Sequence, residues 1–121
     1  MSRINSDTVR VIQLGVLSAL VDGQASPEEL DALAAGVAEH CAIPAAEAQA
    51  LAGKMLERYV SKQLGSDPVA IVRHGQSAMR RLSGRQRRAA IRIATQVAAA
   101  SPGGEASEAT FLREIERMAR T

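Results

Sequence analysis

Asp22-Gly23-Gln24-Ala25-Ser26-Pro27-Glu28-Glu29-Leu30 is the stretch on which the fold turns. It stops one apolar helical stripe, reverses the chain and starts another helix. Gly23 stands where a left-handed residue is needed past a helix end, because it has no Cβ to clash. Ser26 is placed as N-cap, Pro27 at the first helical position, and Glu29 three residues after the cap, so the pair can exchange hydrogen bonds in a capping box. A weaker echo follows near the C-terminus. There Gly103-Gly104-Glu105-Ala106-Ser107 comes after Val97-Ala98-Ala99-Ala100 and before Phe111-Leu112. Two related helix-turn-helix halves around a central section are the simplest reading.

Outward from this turn, six helices are predicted and no strand. The first runs from Ser6 or Asp7 to Val21, with Val9, Ile12, Val16 and Leu20 on one face and Gly15 admitting a close neighbour. The second, from Ser26 to about Ile43, has the stripe Leu30, Leu33, Val37 and Cys41. A third spans about Pro44 to Leu64 with Ala48, Leu51, Met55, Tyr59 and Leu64 inward. Asp67-Pro68 opens a fourth that reaches about Arg81 and buries Ile71, Val72, Ala78 and Met79. Ser83 with Gln86 suggests a second capping box, starting a fifth helix to about Ala100 on Ala90, Ile91, Ala94, Val97 and Ala98. The last begins at Ser107 and buries Phe111, Leu112, Ile115 and Met118. Short loops between such helices imply an all-α compact helical bundle of six to seven helices, a single domain over residues 1–121.

Composition narrows the function. Of 121 residues 46% are apolar, enough for a core without disulfides or a structural metal. One Phe, one Tyr and no Trp favour close helix packing and provide no platform for stacking single-stranded bases. Cys41, the only cysteine, reads as a small buried hydrophobe. No apolar run approaches the roughly 18 residues of a membrane span, and no secretory h-region follows Arg3, so a cytoplasmic location is expected. Charge is divided: residues 1–72 hold nine acidic and five basic side chains, and residues 73–121 hold four acidic and ten basic.

The turn and its echo resemble the TerB-like family, named for tellurite resistance, whose pattern is D-G-x-x-S-P-E-E-L between two helices. Asp22, Gly23, Ser26, Pro27, Glu28, Glu29 and Leu30 match it in full. Gly104, Glu105, Ala106 and Ser107 match it in degraded form, and Leu82-Ser83-Gly84-Arg85-Gln86-Arg87-Arg88 resembles the family's L-S-x-x-x-R segment. The resemblance spans nearly the whole chain. It implies an all-helical domain with internal pseudo-two-fold repetition, non-enzymatic, acting in bacterial metal or chemical stress response through protein partners. It also implies a divalent cation as ligand, with Asp22 and Glu29 as the metal-site candidates. The second turn departs from the pattern, since Gly103 stands where a second Asp is expected and Ala109 and Thr110 where the paired glutamates would fall. Half of a paired acidic site is left.

Direct chemistry adds limits. Asp22, Gly23 and Glu29 occupy the fifth, sixth and twelfth places of an EF-hand-like loop, but Ser18 and Leu20 fill the first and third, so the oxygens Ca²⁺ requires are lacking. The same carboxylates also suit a helix start with no metal. His40 and His74 have no neighbour at zinc spacing, and no nucleophile, P-loop or dinucleotide motif is present. No catalytic set is therefore expected. The remaining feature is a run of arginines, with no acidic residue from position 73 to 92. Arg80, Arg81, Arg85, Arg88 and Arg92 are the candidates for binding an anion or a partner. Guanidinium matches phosphate, which makes an adaptor for nucleic acid or an anionic membrane surface the alternative function.

Overall fold

The computed structural model describes residues 6–21, 26–63, 67–100 and 105–119, the side chains at 68, 105–109, 118 and 119 excepted. Its elements are α1 (Ser6–Leu20), α2 (Pro27–Cys41), α3 (Ala45–Ser61), α4 (Pro68–Arg80), α5 (Gly84–Ala99) and α6 (Glu105–Ala119), with no strand among the described residues. The predicted all-α bundle is thus the observed fold. Predicted boundaries hold to within one or two residues, except that α3 ends at Ser61, short of Leu64, and α2 closes at Cys41, with Ala42 in a left-handed conformation at φ 56°. Asp22, Gly23, Leu64 and the second turn at 101–104 lie outside the described residues.

One expectation is corrected in kind. The first helix was expected to bury a single stripe, but every residue from Val11 to Leu20 except Gln13 is buried. A helix that is apolar all round belongs in the interior, and α1 touches each of the other five helices. Helices α2 and α3 pack together, α4 and α6 pack together, and α5 contacts both α2 and α6. Val9, assigned to the buried stripe, is only half-buried.

Close approach is made by small residues facing large ones. A Cβ on Gly15 of α1 would overlap Leu33 of α2. On Gly75 of α4 it would come within 2.9 Å of the Phe111 ring on α6. Leu33, Phe111, Ile93 and Ile115 are all fully buried. Each such side chain contributes about 1.5–3 kcal/mol by leaving water. A buried Ser18 hydroxyl also donates to the Ala94 carbonyl at 3.4 Å, tying α1 to α5.

The remaining predicted stripes divide by depth. Ala48, Ile71, Ala78, Met79, Ala90, Ala94 and Val97 are buried, whereas Leu30, Leu51, Met55, Tyr59, Val72, Ile91 and Leu112 lie partly exposed around the core. Cys41 is a correction: it is half-buried rather than buried. Burial still pushes its thiol pKa up, partly opposed by a hydrogen bond with the Thr8 side chain.

Candidate functional site

Two helix starts hold the residues that invite function. At α2 the capping box forms in full: the Glu29 amide donates to Ser26 Oγ at 3.1 Å, and the Ser26 amide donates to Glu29 Oε1 at 2.9 Å. Glu28 and Glu29 place negative charge in the first turn, where the unpaired amides and the helix dipole favour it. Glu29 is only 1% exposed, on a helix that packs against α1, α3 and α5. Its second oxygen, Oε2, is buried with no hydrogen-bond partner among the described residues. Unpaired buried carboxylate oxygens are costly.

The other candidate ligand, Asp22, lies outside the described residues. Asp31 is exposed and accepts a 2.9 Å hydrogen bond from the Gln49 side chain of α3. Among the described residues no group of three or more His, Cys, Asp or Glu side chains could hold a metal ion. Glu29 therefore belongs to no such group among the described residues, and its capping role accounts for one of its two oxygens. His74 neighbours Tyr59 with ring centroids 6.0 Å apart.

At α5 the pattern is opposite. Ser83 Oγ accepts from the Gln86 amide at 3.4 Å, but no returning bond from the Gln86 side chain to the Ser83 amide is formed among the described contacts. The expected second capping box is one-sided. No acidic residue lies in the first turn; Arg85 and Arg87 do. Arg87 is absorbed by the fold, since its Nε donates to the Met79 carbonyl at 2.9 Å and its Nη2 to the Arg80 carbonyl at 3.5 Å. Those bonds cap carbonyls of the last turn of α4, the Met79 carbonyl also accepting from the Leu82 amide at 3.1 Å.

Arg85, Arg88 and Arg92 remain, all exposed. Their spacing of three, four and seven puts them along one side of α5, where like charges cost about 0.2–0.5 kcal/mol per neighbouring pair. Among the described residues the ion pairs are Asp7–Arg10 and Glu114–Arg117, so none of these three arginines is neutralised by a carboxylate. Together with Gln86 and Ala89 they line a cavity of about 460 Å³ whose opposite wall is His40, in the last turn of α2. Arg80 and Arg81 are exposed but do not line it. The structure thus brings three of the five predicted arginines together and leaves two apart. It also adds His40, which sequence separates from them by more than forty positions. Nε2 of His40 is buried without a partner among the described residues.

No helix among the described residues is long and apolar enough to cross a membrane. No match to the chain exists among the curated proteins or the solved structures. The family model described as Tellurite resistance protein TerB matches residues 8–120, which takes in α1 from Thr8, the whole of α2 to α6 and the starts of α2 and α5. With that span matched and the all-α bundle in place, the chain belongs to the TerB family.

Proposed function

We propose that this protein is a non-enzymatic TerB-like domain of bacterial metal or chemical stress response, acting through a protein partner, with a divalent-cation site at the turn into α2. The observation that supports it is the Glu29 carboxylate, almost wholly buried with Oε2 unpartnered among the described residues, at the helix start that carries the family's D-G-x-x-S-P-E-E-L pattern. Capping alone employs Oε1; a hard cation takes oxygen ligands and would employ Oε2 as well. Asp22 is the second ligand in this reading, and the acidic residues Glu28 and Asp31 add negative potential nearby in sequence.

The test is the melting temperature of chelator-stripped protein over concentration series of Ca²⁺, Mg²⁺, Mn²⁺ and Zn²⁺, beside Asp22→Asn and Glu29→Gln. Ligand binding to the folded state raises stability by mass action. A saturable rise with one cation, lost in both variants, is expected. Glu29→Gln is informative because Gln also completes a capping box, so it separates cation binding from capping. A flat response to all four cations would reduce Glu29 to a capping residue.

A further inference from the structure

The cavity between α2 and α5 concentrates cationic groups that the fold itself does not use. Arg85, Arg88 and Arg92 are exposed, permanently charged and free of carboxylate partners among the described residues, whereas Arg87 in the same run is spent on closing α4. A Cβ built on Gly84 would lie 3.8 Å from Arg88 Nη1, so this guanidinium folds back over the first turn of α5. Positive charge is thereby set against a helix start, the end of the dipole that already favours anions. Three guanidiniums, a helix N-terminus without acid and the imidazole of His40 converge on one concave space.

Size and lining define the ligand. A volume of about 460 Å³ falls within the range of small-molecule sites, about 300–1,000 Å³, and exceeds what a single halide ion needs. The lining is His40, Arg85, Gln86, Arg88, Ala89 and Arg92, with no Phe, Tyr or Trp to stack a base. Planar guanidinium donors suit phosphoryl oxygens. We propose that this cavity is a binding site for the phosphoryl group of a small phosphate-bearing molecule, with Arg85, Arg88 and Arg92 as ion-pairing donors and His40 and Gln86 as polar walls. The site is independent of the cation reading at α2. The phosphoryl group can come from a soluble phosphate or from a lipid headgroup.

The experiment is calorimetric titration of inorganic pyrophosphate into the full chain, repeated with Arg88→Gln/Arg92→Gln, with Arg85→Gln, and with Arg73→Gln/Arg113→Gln. The last pair removes equal charge from positions that do not line the cavity. Saturable binding is expected, weakened about tenfold or more by the cavity variants, as loss of charge-assisted bonds dictates. The control pair should change it by about twofold at most, because distant charges are screened. Circular dichroism of each variant verifies folding. Vesicles with and without phosphatidic acid then separate the sources: capture by phosphatidic acid that pyrophosphate displaces identifies a headgroup, and pyrophosphate binding without capture identifies a soluble ligand. Three results overturn the proposal: absence of saturable pyrophosphate binding, equal weakening by cavity and control pairs, or binding of duplex DNA or RNA that pyrophosphate does not displace.

Discussion

Helices α2 and α5 both begin on a serine N-cap, and the residues that follow make them opposites. Ser26 is followed by Pro27, Glu28 and Glu29, which complete the capping box and complement the dipole; Ser83 is followed by Gly84, Arg85 and Gln86, which leave the box one-sided and oppose the dipole. The first start is also packed, with Glu29 buried and Leu33 one turn on seated over Gly15. The second is open to solvent, and its glycine meets only the far end of Arg88. One helix start is built for stability, with one Glu29 oxygen unpartnered among the described residues. The other gives up local stability and gathers positive charge. Departures from good capping chemistry are where a binding role is best sought.

The largest effect should come from filling the two glycines. Gly15→Val forces a side chain into Leu33 in a core with no slack and is expected to cost about 3 kcal/mol, whereas Gly84→Ala, a better helix former in open space, should be neutral or gain up to about 0.5 kcal/mol. Urea denaturation of both variants measures the difference, and equal costs would break the contrast between packed and open starts. Next in size is removal of the caps. Ser26→Ala loses the 3.1 Å bond from the Glu29 amide to Ser26 Oγ, while the bond from the backbone amide at 26 to Glu29 is kept, and should cost about 1 kcal/mol; Ser83→Ala loses a longer, 3.4 Å bond and should cost about 0.5 kcal/mol.

The smallest effect sharpens the comparison most. Arg85→Glu puts an acid where the α5 dipole prefers one and relieves repulsion with Arg88, so thermal stability should rise by about 0.5 kcal/mol. The same variant should lose pyrophosphate binding. A gain in stability coupled to loss of binding would establish that the arginines are held against local preference for a ligand. A fall in stability would show instead that they support the fold.

Much of this was legible in the chain. Ser26-Pro27 and Asp67-Pro68 announce helix starts because proline fits the first helical position and serine or aspartate caps it, and both are observed. Gly15 was legible as a close-approach site, though its partner Leu33 was not. The arginine run was plain, but its division was hidden. Arg87 reaches back to the Met79 and Arg80 carbonyls, and Arg80 and Arg81 stand away from the cavity, none of which periodicity reveals. His40 escaped as a partner of the arginines because it is adjacent in sequence to Cys41 and distant from α5. Only the packing of α2 on α5 brings it there. No local pattern signals that pairing.

By itself the sequence determined the number and type of elements, their capping, the family membership carried by residues 8–120, and the opposite charge of the two halves. These follow from short-range rules: period, caps and composition act within a few residues. Tertiary structure decided that α1 is the central helix and not an amphipathic surface one, that Glu29 is buried, and that three arginines and a histidine share one cavity. Those facts depend on which apolar faces meet, a choice settled by the whole set of contacts made at once.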